Sequence, residues 1–249
     1  MPGMKYITTK TLLAVAVLFS GMMTGIAKGQ TVNINCTGTG TPLQTAINAA
    51  AAGTTILVTG TCNESISIRE EKKEITLDGQ GTATINSPSA SFNTVSISGR
   101  GTTLKRFTIT GGDNGVFVFH GGEVLLDGNT IQGAGSAGVL INTESFGVII
   151  NNLIQNNAAQ GIAIGDNSVA RIGYVNNSDT VASPNSILNN GTLSGQEDGI
   201  LITRGSHATI VGNIISGNKG DGIQVSRVSH ADISANQISG LPTLTLFNY

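Results

Sequence analysis

Residues 199–213 read GILITRGSHATIVGN and residues 222–236 read GIQVSRVSHADISAN, one pattern displaced by 23 positions. The glycine that opens it recurs at Gly115, Gly138, Gly161, Gly199 and Gly222, with intervals of 138−115 = 23, 161−138 = 23, 199−161 = 38 and 222−199 = 23. Asn129, Asn152, Asn213 and Asn236 keep the same register. A fixed period of this length marks a solenoid, in which each repeat is one small unit stacked on the next. The third segment carries 38−23 = 15 surplus residues, placed between Arg171 and Gln196, and rejoins the pattern at Asn185, Ser186 and Ile187.

The repeat is a set of apolar columns. One residue after each glycine stand Val116, Val139, Ile162, Ile200 and Ile223, and three after it Val118, Ile141, Ile164, Ile202 and Val225. Eleven after it come Leu126, Ile149, Ile210 and Ile233, and sixteen after it Ile131, Ile154, Ile215 and Ile238. Alternating β-branched residues bounded by Gly, Asn and Asp read as short strands, about three per repeat. A helical repeat needs apolar positions at i, i+3, i+4 and i+7 among helix formers, which segments this rich in Gly, Asn, Ser and Thr do not supply. The structure implied is one coil per repeat, with parallel strands about 4.8 Å apart. The recurring asparagines then either stack inward, each amide bonding its neighbours, or occupy exposed turns; their retained register favours the inward stack.

The two quoted segments resemble right-handed parallel β-helix repeats of the pectin-lyase-like superfamily, and the resemblance extends over most of the chain after residue 27. It implies an all-β solenoid. It does not fix an activity, because that superfamily holds lyases, hydrolases, esterases, epimerases, tailspikes and adhesins.

Before the repeats, Met1 to Ala27 has Lys5 and Lys10, an apolar run from Leu12 to Phe19, and small residues at Gly25 and Ala27: the pattern of a cleaved secretory signal peptide. The rival reading, a membrane anchor, falls short of about 20 apolar residues. A secreted or periplasmic chain of one domain, residues 28–249, is expected. It divides into an N-terminal cap (28–60), irregular coils (61–110), regular coils (111–240) and a C-terminal segment (241–249) that folds over the last coil, marks a truncation or serves an oligomer. Without Lys5 and Lys10 the formal charge moves from −2 to −4, which offers no footing for nucleic acid. A polar, weakly acidic surface with 11% charged residues suits neutral ligands or ligands bound through local cations.

Cys36 and Cys62 are the only cysteines, and an oxidising compartment makes them a disulfide. Between them, Thr41 to Ala52 reads as a short amphipathic helix: Thr41 as cap, Pro42 in the first turn, Leu43, Ala46, Ile47 and Ala50 on one face, and Gly53 as the stop. Such a helix covers the open end of a solenoid. Superfamily members often begin with a similar helix, strand and Gly-Thr-Cys turn, matched here by residues 60–62. The charged run at 69–74 reads as a solvated turn.

Chemistry has two candidate rows. Five residues after the glycines lie His120, Thr143, Asp166, Arg204 and Arg227; just before them lie Asn114, Ala137, Gln160, Asp198 and Asp221, with Glu197 adjacent. Stacked coils put Arg204 beside Arg227 and Asp198 beside Asp221, like charges that repel unless a partner or ligand intervenes. His120, Asp166, Arg204 and Arg227 are therefore candidates for a ligand groove, and Glu197, Asp198 and Asp221 for a calcium site. In polysaccharide lyases of this superfamily an Arg or Lys abstracts a proton beside a uronate, with calcium or a basic residue neutralising the carboxylate. The resemblance thus makes Arg204 and Arg227 the candidates for catalysis. Against one catalytic centre, a span of five or six strand residues separates the rows by about 16–20 Å. Copied surface residues are the plainer alternative.

Other motifs carry less. His207 and His230 lack a third ligand by spacing and read as surface turn residues. Residues 133–138 fit GxGxxG but join two strands and read as a turn. No Gly-x-Ser-x-Gly elbow and no Asp-Asp pair of the galacturonase kind occurs. Phe117, Phe119 and Leu140 fall on or beside outward positions, as sugar-stacking surface or packing under a loop. Two functions follow: a protein that binds or processes polysaccharide, in its sharpest form a lyase or epimerase on uronate glycans, or a non-catalytic surface, adhesive or scaffold protein.

Overall fold

A computed structural model describes residues 29–175, 182–192, 197–240 and 245–246. The expected signal peptide, parts of the insertion and most of the C-terminal segment lie outside the described residues.

The chain is a right-handed parallel β-helix in which each regular coil gives one strand to each of three ladders. The first ladder stacks eight strands, among them Val116–Val118, Val139–Ile141, Ile162–Ile164, Ile200–Ile202 and Ile223–Val225. The second includes Glu123–Asp127, Phe146–Ile150, Val169–Ile172, His207–Val211 and His230–Ser234. The third includes Thr130–Gln132, Leu153–Gln155, Ser186–Leu188, Ile214–Ser216 and Gln237–Ser239. The long strand Thr55–Cys62 turns the corner between the second and third, pairing at its start with Thr76–Asp78 and at its end with Thr84–Ser87. Among the irregular coils the strand Thr102–Lys105 joins the second ladder; its Thr-rich sequence has only Leu104 as a large apolar residue, so alternation does not show it.

Register follows the sequence columns. Val116, Val139, Ile162, Ile200 and Ile223 pair in succession and are fully buried. Leu126, Ile149, Ile172, Ile210 and Ile233 form another inward row. Each fully buried Ile or Leu stabilises the tube by about 1.5–3 kcal/mol.

The aligned glycines are required for space rather than for backbone freedom, since none of the five has a positive φ. A Cβ on Gly161 would lie 2.8 Å from the Gly199 carbonyl oxygen and 2.6 Å from Ile187 Cγ2. That carbonyl accepts the next ladder bond, from the Ile162 amide at 3.0 Å, so it cannot withdraw cheaply. Gly161→Ala is expected to destabilise the protein by about 1–3 kcal/mol through overpacking. A urea midpoint equal to wild type would show that the backbone yields there.

Each of the three corners is held by a polar row. Between second and third ladders, the backbone amides of Asn129, Asn152, Asn185 and Asn213 donate to the side-chain oxygens of Asn152, Asn185, Asn213 and Asn236 in turn, at 2.8–3.0 Å. Their side-chain amides run the same way and also reach carbonyls such as Leu126 O and Ile149 O. Between third and first ladders, Asn157, Asn190 and Asn218 repeat the arrangement. Between first and second, the amides of Ser145, Ser168 and Ser206 donate to the hydroxyls of Ser168, Ser206 and Ser229. Turn amides buried away from water need acceptors, and these rows provide them.

The rows also locate the insertion. Asn152 to Asn185 is 33 residues and Asn185 to Asn213 is 28, so 33−23 = 10 surplus residues precede Asn185 and 28−23 = 5 follow it. The surplus is thus two loops at two corners of one coil.

At the N-terminal end the helix spans Pro42–Ala49 and stops at Ala50, whose ψ of 131° is extended, rather than running to Gly53. Thr41 makes no side-chain cap. The cap is Glu64, buried, whose two carboxylate oxygens accept the amides of Leu43 at 3.0 Å and Gln44 at 2.9 Å. At the other end Lys72 Nζ donates to the carbonyls of Asn48 and Ala50. An anion at the helix N-terminus and a cation at the C-terminus both favour the helix dipole, so one member of the charged run at 69–74 is a cap. Leu43 and Ile47 are fully buried against the first coil, and Cys36–Cys62 is a disulfide with a Cα separation of 4.9 Å.

Candidate functional site

The outer side of the first ladder is a strip with a charged edge on each side. Its central column reads Ser96, Phe117, Leu140, Ala163, Leu201 and Gln224. Phe117 in the strand and Phe119, one residue past its end, lie on the outer side because Val118 between them points in. Their rings are stacked with centroids 4.8 Å apart and planes 2° from parallel, and the His120 ring lies 4.8 Å from that of Phe119.

The downstream edge consists of residues in one left-handed turn position. His120, Thr143, Asp166, Arg204 and Arg227 have φ between 49° and 56°, and Gly205 N donates to Arg227 O at 3.0 Å, which stacks the Arg204 and Arg227 turns. Arg204 faces Asp166, with Nη1 3.4 Å from Oδ1, and both side chains are solvent-exposed. The arginine–arginine repulsion is therefore balanced from the coil below, and Arg227 projects into solvent beyond them.

The upstream edge holds Asp198 and Asp221. Asp198 is 4% exposed and its Oδ1 accepts the Asp221 amide at 2.8 Å. Asn114 does the same for the Ala137 amide at 3.2 Å, so Asp198 fills the place of a turn-bonding asparagine. Burial pushes its carboxyl up to about 6; the Asp221 amide opposes this and the charges of Asp221 and Glu197 add to it. Glu197 accepts from the Gln160 side-chain amide. Among the described residues, only Cys36, Cys62 and Glu64 bring three ligating atoms within 4.8 Å of one another, and that pair of cysteines is already bonded. Glu197, Asp198 and Asp221 thus do not converge as a calcium cage would require.

A raised carboxyl has a signed consequence. Between about pH 4 and about pH 6 the folded chain holds a proton on Asp198 that the unfolded chain has released, so stability falls as pH rises through that window. Asp198→Asn, which keeps the bond to Asp221, is expected to flatten that slope and to gain about 1–2 kcal/mol at pH 7. Denaturant midpoints of both proteins across this range are the check.

The two edges flank a strand, and among the described residues no ion pair joins them. The strip is an open, extended surface along the first ladder.

His207 and His230 lie elsewhere, and they open strands rather than sitting in turns, facing out from the second ladder. Their rings stack at 5.2 Å and 11°. Asp232 stands beside both, with Oδ2 3.7 Å from His207 Nε2 and Oδ1 3.4 Å from His230 Nε2, but the three side chains do not bring one ligating atom each within 4.8 Å of one another. Next to them a cleft of about 440 Å³ is lined by Phe146, Arg171, Tyr174 and Thr209 among others. Tyr174 belongs to the first insertion loop and is buried there.

Residues 34–183, more than half of the chain, match the family described as "Right handed beta helix region". Residues 172–243 match that described as "Periplasmic copper-binding protein (NosD)". A cell surface glycoprotein of Methanothermus fervidus is 33% identical over 129 residues; the match covers 50% of this chain and 21% of the glycoprotein, so the chain spans about a fifth of that relative. Three solved structures share the fold. Pectate lyase Pel9A has a TM-score of 0.54 at 12% identity, covering 88% of this chain and 80% of its own. An alginate lyase from a Paenibacillus species has 0.52 at 18%, covering 88% and 98%. The A-module of the Azotobacter vinelandii mannuronan C-5 epimerase AlgE6 has 0.53 at 16%, covering 78% and 66%. No helix among the described residues is long and apolar enough to cross a membrane.

Proposed function

The chain belongs to the right-handed β-helix family, and from that premise we propose that it is an extracellular protein that binds glycan chains along the outer strip of its first ladder. The observation that carries this reading is the flat pair Phe117 and Phe119, held parallel by one strand and followed by His120. Aromatic faces on a rigid strand offer a sugar ring apolar area with little ordering cost. Arg204 and Arg227 on the downstream edge give an anionic sugar its counter-charge. Arg204 already pairs with a carboxylate, that of Asp166, so these residues act in this reading by holding carboxylates. Lyase or epimerase chemistry on uronates is the sharper version of the same proposal. The names of the three structural neighbours set the polymers to try first: pectate, alginate and mannuronan.

The test is affinity electrophoresis in gels containing each polymer, with and without calcium, run beside an assay for unsaturated uronate. Wild type is expected to be retarded by at least one polyuronate. Phe117→Ala with Phe119→Ala, and separately Arg204→Ala with Arg227→Ala, are expected to weaken that binding about tenfold or more. Wild-type migration unaffected by every polymer, or retardation identical in both double variants, overturns the reading. Unsaturated product from wild type would establish the lyase form.

A second reading, a non-catalytic structural part of a cell surface, is favoured by the 33% identity with a cell surface glycoprotein. It predicts association with the envelope that survives in the Phe and Arg variants.

A further inference from the structure

We propose that the cleft on the outside of the second ladder, between Phe146 and the base of the first insertion loop, is a small-molecule site. Its ligand is a ring-shaped monocarboxylate with a hydroxyl opposite the acid. The site is separate from the first-ladder strip and stands if the glycan reading of that strip fails. Its volume of about 440 Å³ lies within the roughly 300–1,000 Å³ of small-molecule pockets.

One coil makes the cleft. After the strand Val169–Ile172 the chain leaves the tube at Gly173, where φ is 100° and a Cβ would meet the Val211 carbonyl oxygen at 1.9 Å. Only glycine fits that exit. The loop is closed at its base by the Ser183 amide, which donates to the Gly173 carbonyl at 2.7 Å. Tyr174 is buried at the foot of the loop, and Arg171 Nη1 donates to the Val175 carbonyl at 3.2 Å. The loop base is thus a fixed wall standing beside the ladder.

Register sets the floor. One outward column reads Phe146, Val169 and His207, and its neighbour reads Val148, Arg171, Thr209 and Asp232. The lower members are apolar and the upper ones polar, and the cleft lies across that boundary. Val169 is 38% exposed there, although the strand's inward side chains Ala170 and Ile172 are fully buried. A ring lying in the cleft covers Val169 and meets the Phe146 ring with its apolar face, while its polar rim meets the upper residues.

The charges narrow the class. Arg171 and Asp232 share one column with Thr209 between them, so their Cα atoms stand two strand spacings, about 9.6 Å, apart. Asp232 pairs with the two histidines and not with Arg171. A guanidinium has five N–H donors and the Val175 bond uses one, which leaves a two-pronged grip for a carboxylate. Asp232 and the Thr209 hydroxyl then accept the hydroxyl hydrogen at the far side of the ring. A phosphate dianion suits the cleft less, because one guanidinium balances only part of its charge and Asp232 repels it. A neutral ring leaves Arg171 without a counter-charge. Sugar acids and phenolic acids share the required chemistry.

The experiment is titration of the isotope-labelled full chain, followed by its amide NMR shifts, with sodium glucuronate as the sugar acid and sodium para-hydroxybenzoate as the phenolic acid. Glucose and sodium acetate are the neutral and the plain anionic controls. Wild type is expected to bind at least one of the two acids saturably, with both controls about tenfold weaker or more. Arg171→Ala is expected to weaken that acid about tenfold or more, and Arg171→Lys to recover part of the loss. Phe146→Ala is expected to weaken the acid as well. Titration of Phe117→Ala with Phe119→Ala locates the ligand: wild-type affinity supports the cleft, and a loss places the ligand on the strip and overturns the proposal. No saturable binding of either acid, equal affinity for acetate, or an affinity unchanged in Arg171→Ala with Phe146→Ala also overturns it. The thermal melt of each unliganded variant checks its fold. Where Arg171→Ala melts early, Thr209→Val replaces it, with an expected loss of about threefold or more.

Discussion

Asn185→Ala is expected to cost about 2–4 kcal/mol of stability. Asn185 is fully buried at the middle of the corner row between the second and third ladders. Its side-chain oxygen accepts both the backbone and the side-chain amide of Asn152. Its own amide donates to the Ile149 carbonyl and to Asn213. Truncation leaves the buried Asn152 backbone amide without its acceptor, at about 1–3 kcal/mol before relaxation, and removes two further bonds, although the Ile149 carbonyl keeps the Gly173 amide and the Asn152 side-chain amide keeps the Leu126 and Ile150 carbonyls. The exposed strand residue Asn33 is the control, and Asn33→Ala should change stability by less than about 0.5 kcal/mol. Urea unfolding followed by circular dichroism decides the matter; equal midpoints for both variants would mean that the row stabilises nothing.

The second large effect is at the N-terminal end. Joining residues 26 apart, the Cys36–Cys62 disulfide removes loop entropy from the unfolded chain worth about 3.5 kcal/mol. Cys36→Ser with Cys62→Ser is expected to lose about that amount, and dithiothreitol should lower the wild-type melting temperature while leaving the double variant unchanged. The loss is local in origin. Without the bond, the strand Thr31–Cys36 is held only by its pairing with Thr55–Cys62 and by the helix Pro42–Ala49. Wild-type melting that is insensitive to the reductant, with the reduced state verified by thiol titration, would contradict this.

How much of this was legible in the sequence depends on whether a residue repeats. The ladders were legible because Ile and Val return every 23 residues, and the corner row of Asn129 and Asn152 because it shares that spacing. The row of Asn157, Asn190 and Asn218 was not, since its intervals of 33 and 28 straddle both inserted loops and no pair in it shows the period. The helix was legible from Pro42, Leu43 and Ile47, but its end was not: alanines at 49–52 carry no stop signal, and packing on the first coil decides where it breaks. Glu64 as its cap lies about 20 residues away in sequence and belongs to no motif. Arg204 and Arg227 could be placed beside each other by period alone, whereas the Asp166 contact that balances them needs coordinates. Asp232 was hidden for a related reason, because the coil below it has Thr209 at that position and nothing repeats to draw attention to it.

The corner rows carry a consequence for ancestry. Each bond between members of a row runs to an equivalent group one storey up or down, so no residue in a row records how tall the tube is. A 23-residue cassette can be duplicated or lost in the gene without asking any other part of the molecule to change. Height is then the cheapest trait for evolution to alter in such a chain, and the outward positions, which no row constrains, are where daughter copies are free to diverge.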